Sequence, residues 1–470
     1  MLIQNVELHG QIEQTTSDYM AGVDVRIHNG KLVEIGFGLA PGDDPVVAGH
    51  GGALLPGLVD HHIHLFSLAA FAESVVCGPP QVNNLNDLRQ VLHGVTGSGW
   101  IRGVGYHESV AGELTARDLD ALVPERPFRL QHRSGKMWML NSRAVQMLDI
   151  ESQVGWQGIE TDNHGVTGRL FRLDGWLSAQ LKRSTPLNLA RVSAELAAAG
   201  VTGLTDASVT NDHNTVDLFC RLLTEGQLRQ HIRLMGNESL TDQHFANTLL
   251  TLGELKILLD EDNLPPLDEL IDRIKRAHAA SRGVAFHCVS RIELLFALAA
   301  IDAAGSCGSD RIEHGAVIPA EVLSTLRNLD LTVVTQPSLV ALRGDQYVED
   351  LLPHELPDLY RVRSLVNQRV ALSSDAPYGS ADPWLTMRCA VHRTTPSGIV
   401  VGEAECLTPE QAFSRSTTPL DDPGGPAVDL NLGSIADLCL MKLPWKDIRE
   451  RLNVDDVAAT FVEGERVYQS

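Results

Sequence analysis

The sequence is poor in positive charge. Its 470 residues carry 38 Lys and Arg against 60 Asp and Glu, a formal net charge of −22. A surface that negative repels phosphate backbones and anionic head groups, so no nucleic acid and no membrane partner is expected. Long apolar runs are absent too: no stretch reaches the roughly 18 residues that a spanning helix needs. Residues 1–10 lack the basic segment and apolar run of an export signal and carry Glu7 instead. The seven cysteines (Cys77, Cys220, Cys288, Cys307, Cys389, Cys406, Cys439) are odd in number and form no C-x-x-C pair, the usage of a reducing compartment rather than a disulfide framework. The expectation is a cytoplasmic protein. Low-complexity segments, helical repeats and heptads are also missing, which excludes solenoids and coiled coils.

What is present is 43% hydrophobic and 21% charged residues, an ordinary globular balance with material for a large core. Both ends have the texture of small β units. Alternating stretches at 2–8, 23–28 and 31–35 include an Asn29-Gly30 hairpin turn, and stretches at 435–441, 457–462 and 466–468 include Glu463-Gly464. Neither end alone has enough strands for a core, so together they are expected to complete one β-sandwich, from residues 1–56 and 425–470. Between them, short apolar strands alternate with amphipathic helices. Eight strands are predicted, at 54–59, 202–205, 231–235, 255–258, 284–286, 311–313, 332–335 and 370–373. Eight parallel strands with crossovers imply an α/β fold, a (β/α)8 TIM barrel over residues 57–424. The first crossover is far too long for one helix and contains strands of its own, so residues 66–185 are expected to be an inserted α+β subdomain on the first active-site loop.

His62 and His64 follow the first barrel strand, and positions i and i+2 of a strand face the same way. Eighteen histidines in a chain this long give roughly 0.7 such pairs by chance, so the pair needs context. The context is His287 at the end of the fifth strand, His314 at the end of the sixth and Asp375 just after the eighth. A lone strand-end histidine is usually structural. Several ligand-type residues at the same barrel rim point instead to a metal, with imidazole and carboxylate suiting Zn, Mn, Fe or Ni. Lys256, one of only seven lysines, sits in a strand that should be apolar. A buried ammonium beside cations is unfavourable, and reaction with carbon dioxide would convert it to an anionic carbamate with two ligand oxygens. The competing arrangement is Lys256 on a solvated edge or paired to Asp260 or Glu261. Asp162-Asn163-His164-Gly165 reads as a hairpin turn rather than a metal site, and Trp384 as a residue packed at a helix start.

Asp60-His61-His62-Ile63-His64, Lys256, His287, His314 and Asp375, in that order on strands 1, 4, 5, 6 and 8, resemble the amidohydrolase superfamily of metal-dependent hydrolases. Trp100-Ile101-Arg102-Gly103-Val104-Gly105-Tyr106, Asn141-Ser142-Arg143-Ala144, Gly200-Val201-Thr202-Gly203-Leu204-Thr205-Asp206-Ala207, Ser374-Asp375-Ala376-Pro377 and Gly433-Ser434-Ile435-Ala436-Asp437-Leu438 are similar to its N-substituted formamide deformylase-like branch, which has a long first insertion. The resemblance implies two divalent metal ions, one held by His62, His64 and Asp375, the other by His287 and His314, with carboxylated Lys256 bridging. It also implies hydrolysis of a C–N bond, amide or related, of a small-molecule substrate by a hydroxide that bridges the metals, with Asp375 as the proton carrier. Two departures stand out: Lys136 lies where relatives often have histidine, and Gly-Lys is missing before Ala436-Asp437. Lys136 and Trp138 are the expected substrate contacts of the insertion. Competing readings are a mononuclear aminohydrolase that deaminates a heterocycle and a non-catalytic scaffold. The first normally needs a glutamate three residues after the strand-5 histidine, where this chain has Ser290, with Glu293 further along; the second would have lost ligands. A homo-oligomer is compatible with the sequence.

Overall fold

Gly57 divides the first expected barrel strand in two. In the computed structural model, which describes residues 1–9, 20–181, 187–241 and 245–470, Ala53–Pro56 joins the sheet of the chain ends and Leu58–Ile63 enters the barrel. The break is steric: a Cβ on Gly57 would lie 2.1 Å from Thr202 Oγ1, and its amide bonds to Asp437 O across 2.9 Å. His62 therefore lies inside the barrel strand, not after it. The residues form two compact units, Met1–Leu65 with Leu189–Ser470, and Phe66–Asn188.

The first unit contains the barrel. Its strands are β1 (Leu58–Ile63), β2 (Val201–Asp206), β3 (His231–Gly236), β4 (Leu250–Leu258), β5 (Val284–Cys288), β6 (Arg311–His314), β7 (Thr332–Thr335) and β8 (Val370–Leu372), paired in that order and all parallel. Beyond β8 the ring is drawn together by Asp375 N to His62 O (2.8 Å) and His64 N to Ala376 O (3.0 Å). At the opposite end Leu372 N and Val59 N bond to Arg415 O and Ser416 O, so a loop fills the remaining gap. Alternation assigns the faces. Leu255, Ile257, Val284, Phe286, Cys288 and Ile312 are buried with Leu270, Ile274, Leu294, Ala297 and Ile301 of helices Leu267–Ala279 and Arg291–Ala304. Each large apolar side chain so buried contributes roughly 1.5–3 kcal/mol. The same alternation turns Glu254, Lys256, Ala285, His287, Arg311 and Glu313 to the interior.

The chain ends form one continuous eight-stranded sheet, built from strands of both termini. Ala53–Pro56 lies between Leu2–Leu8 and Leu438–Met441 and so joins the two termini. The sheet curls back on itself. Its two hairpin turns, Asn29-Gly30 (φ 48° and 73°) and Glu463-Gly464 (φ 47° and 77°), touch, and a Cβ on Gly464 would fall 2.6 Å from Ile27 Cγ2. Val25, Ile27, Leu32, Leu438, Leu440 and Phe461 make the enclosed core.

The second unit has a six-stranded sheet in the order Ile159–Asp162, Gly165–Phe171, Met137–Leu140, Phe128–His132, Ile101–Tyr106, Val75–Val76. The last three strands run parallel, the others antiparallel. Asn163 and His164 form the expected hairpin turn, closed by His164 N to Asp162 Oδ1 at 2.7 Å. Among the described residues no helix is long and apolar enough to cross a membrane.

Candidate metal centre

The C-terminal ends of β1, β5, β6 and β8 bring the ligand-type residues together. His62 Nε2 and His64 Nε2 lie 3.5 and 3.3 Å from Asp375 Oδ1, and His314 Nδ1 lies 3.9 Å from Asp375 Oδ2. Ligand atoms of His62, His64 and Asp375 all fall within 4.8 Å of one another. The His314 ring is 4.8 Å from His62 and 4.5 Å from His287, centroid to centroid. Two of these residues need a special backbone. Glu313 already faces the interior, so regular alternation would turn His314 outward; its φ of 69° turns the chain at the strand end. Asp375 has φ 53°, a conformation that aspartate tolerates better than most residues.

Lys256 is 1% exposed on β4, and its Nζ has no hydrogen-bond partner. Burial pulls its pKa down, while the charge of Glu313 acts in the opposite direction. Burial, followed by the positive charge of Lys256, likewise holds His62 far below the ordinary histidine value; for His314, burial and His287 act first. These imidazoles are therefore neutral, the form that ligates metals.

Sequence reading missed the residues that aim the imidazoles. Glu313, fully buried, bonds to His62 Nδ1 and accepts from Arg311 Nε (2.5 Å) and Nη2 (3.2 Å). His62 thus keeps its proton on Nδ1 and presents the Nε2 lone pair, which has no hydrogen-bond partner, toward Asp375. Burial alone would raise the Glu313 pKa, but Arg311 and Lys256 hold it below the usual carboxylate range. His64 Nδ1 meets Ser208 Oγ at 3.0 Å, and His314 Nδ1 meets Gln336 Oε1 at 2.9 Å. Gln336 Nε2 donates to Ser373 Oγ (2.9 Å), which sets its amide orientation. Asp60 clamps β1 to the segment after β8 by accepting from His62 N (3.2 Å) and Ser374 N (3.0 Å); burial pushes its pKa up to about 6. The signal for Glu313 was present as Arg311-x-Glu313, two charges on the inward face of an apolar strand. Neutral His62 and His314 imidazoles, the His62 Nε2 without a hydrogen-bond partner, one carboxylate and a buried amine likewise without a hydrogen-bond partner are a donor set that fits divalent metal.

The family model described as "Amidohydrolase family" matches residues 46–468. The chain belongs to this amidohydrolase family. An N-substituted formamide deformylase from Arthrobacter pascens is 26% identical over 462 residues, with 84% of each chain covered. Among solved structures, an uncharacterized metal-dependent hydrolase from Pyrococcus horikoshii shares the fold at a TM-score of 0.75 and 19% identity, covering 93% of this chain and 95% of its own. The guanine deaminase of C. acetobutylicum shares it at a TM-score of 0.56 and 11% identity, covering 99% of each. As a family member the protein is a metal-dependent hydrolase acting on carbon–nitrogen bonds.

In this amidohydrolase Lys136 and Trp138 belong to the inserted unit. Lys136 is exposed just before strand Met137–Leu140. Trp138 is 5% exposed, has the guanidinium carbons of Arg102 and Arg129 5.5 and 5.1 Å from its ring centroid, and donates from Nε1 to Asp174 Oδ1 at 2.6 Å. Glu293 is committed to a helix start: its carboxylate accepts from Val289 N (2.7 Å) and Ser290 N (3.1 Å) in a capping box. Trp384 is fully buried at the start of helix Pro383–His392 and donates to Ala199 O at 3.0 Å.

Proposed function

We infer that the protein is a binuclear amidohydrolase that cleaves an amide or related C–N bond of a small molecule, with Lys256 carboxylated. The observation that carries this reading is Lys256 itself: an amine buried on the inward face of a barrel strand, without a hydrogen-bond partner. The neutral amine attacks carbon dioxide, forms an N–C bond and releases one proton, leaving an anionic carbamate. The carbamate would supply anionic oxygen ligands to divalent ions, with zinc the favoured species and Mn, Fe or Ni the alternatives. His62, His64 and Asp375 would hold one ion, and His287 and His314 the other. When bound, the ions supply an activated water and polarise the scissile carbonyl.

The chain's own residues do the rest. Glu313 keeps His62 aimed, Ser208 and Gln336 do the same for His64 and His314, and Asp375 takes the proton of the attacking water and passes it to the leaving nitrogen. Transfer by a positioned group contributes about 10² to 10⁴ in rate. The inserted unit leaves the chain directly after His64 and Leu65 and returns before β2, so substrate selection is assigned to it, with Lys136 as its cationic contact and Trp138 bracing the strand that follows.

Elemental analysis together with a hydrolysis screen tests the reading. N-formyl, N-acyl, cyclic amide and ester substrates, N-substituted formamides among them, are presented to metal-loaded protein while ammonia is measured in parallel. About two ions per chain with release of an amine and an acid are expected. A value that stays near one after reloading with metal and bicarbonate, with ammonia from a heterocycle, would replace it with the deaminase reading.

A further inference from the structure

The inserted unit holds a second convergence of ligand-type side chains. His107 directly follows strand Ile101–Tyr106, Glu108 comes next, and His132 ends the neighbouring parallel strand, where its register partner is Tyr106. The group therefore sits at the carboxyl edge of the parallel half of the sheet, the edge at which open α/β sheets bind ligands. His132 Nε2 is 3.0 Å from Glu108 Oε2, and His107 Nε2 is 3.5 Å from Glu108 Oε1. One ligand atom from each of the three lies within 4.8 Å of the other two. Ligands about 2.0–2.2 Å from a tetrahedral ion are themselves about 3.3–3.6 Å apart, so both His–Glu separations are already close to that spacing.

Both imidazoles are braced in the same way. Nδ1 of His107 lies 2.8 Å from Ser109 Oγ and 3.2 Å from Ser109 N; Nδ1 of His132 lies 2.8 Å from Ser134 Oγ and 3.2 Å from Ser134 N. Two His-x-Ser motifs thus turn two Nε2 atoms toward one carboxylate. When Nδ1 accepts from the serine amide, Nε2–H donates to Glu108. When Nδ1–H donates to the serine hydroxyl, which serves as donor or acceptor, Nε2 presents a lone pair. The second form is that of a metal ligand held by an outer hydrogen bond. The imidazoles are 15% and 17% exposed and Glu108 is 56% exposed, so the ligands are anchored while solvent reaches the site.

We propose that His107, Glu108 and His132 form a second divalent-metal site, of the zinc class, built from side chains of the inserted unit alone. Three protein ligands with a fourth position open to solvent is the pattern of a site that also takes a water or a ligand group. Zinc titration of the chelator-stripped full chain, followed by calorimetry, tests it. In a His62→Ala/His64→Ala/His287→Ala/His314→Ala background, which lacks histidine ligands for both barrel ions, one equivalent should remain that adding His107→Ala/His132→Ala abolishes; in the otherwise native chain, the latter pair should bind one equivalent fewer. Superimposable isotherms with and without the His107 and His132 changes would overturn the proposal. Because alanine there could disturb the unit, Glu108→Gln, which keeps both imidazoles and their serines, provides a second measurement, with a tenfold or greater loss of affinity expected at this site. The ¹⁵N imidazole signals of His107 and His132 in the native chain should shift with the same equivalent of zinc, and their failure to move at saturation would be equally decisive against it.

Discussion

Changing Glu313→Gln separates the aiming of a ligand from the ligand itself. Glu313 is fully buried, and Arg311, its partner, is 1% exposed on its side chain. Without the Glu313 charge, the nearest carboxylate to Arg311 is Glu254, 3.7 Å from Nη1. Removing one member of a buried ion pair costs about 3–5 kcal/mol; the amide still accepts one hydrogen bond, which places the expected loss near the lower end, about 3 kcal/mol. His62 loses the acceptor that holds its Nδ1 proton, and loss of such an outer partner lowers metal affinity roughly 10–100-fold. Urea unfolding of the stripped chain reads the first effect and chelator competition the second. The stability term is pH-dependent. The folded pKa of Glu313 is held below its ordinary value, so its contribution is full above the unfolded value of about 4.3 and disappears as pH falls through the lower folded one. The two proteins should therefore converge in stability in acid. Glu254→Gln serves as the control, because it weakens Arg311 without touching His62: it should share the stability loss and spare the metal. Wild-type metal affinity in Glu313→Gln would show that His62 is aimed by something else.

Lys256→Ala should lose at least one ion by elemental analysis, with partial recovery of activity from short carboxylic acids; retention of both ions and full turnover would remove the carbamate. Asp375→Asn, compared at saturating metal, should fold normally and lower turnover by about 10² or more, since an amide cannot accept the proton. Lys136→Met should raise KM or lower kcat/KM for an anionic substrate and leave a neutral analogue and the metal content unchanged; equal kinetics on both would place specificity elsewhere. His231 Nε2 lies 3.1 Å from Asp437 Oδ2, and although burial pulls the His231 pKa down, Asp437 raises it above the ordinary value. That pair stabilises the fold below the unfolded histidine value of about 6.5, and the benefit is lost as pH rises through the higher folded one. Asp437→Asn should accordingly cost roughly 0.5–1 kcal/mol at pH 6 and almost nothing at pH 9, measured by urea unfolding.

The residues that sequence alone determined are those whose role is local. Asn29-Gly30 and Glu463-Gly464 specify tight hairpins because the turn needs two positive φ angles in succession. Eight apolar strands separated by amphipathic helices admit few arrangements other than a barrel, and strand ends carrying His287 and His314 must meet at one rim. Lys256 was legible as a contradiction, a cation in a core strand. Tertiary structure decided what depends on partners far apart in the chain. Gly57 breaks a continuous apolar run because Thr202 occupies the space a side chain would need. Glu313 aims His62 across 251 residues of sequence, and only the closed ring brings that carboxylate to that nitrogen. The same holds for His107, Glu108 and His132, ordinary polar residues until two parallel strands place them at one edge. Backbone preference is written residue by residue, whereas the direction of a buried lone pair depends on which side chain the fold sets opposite it.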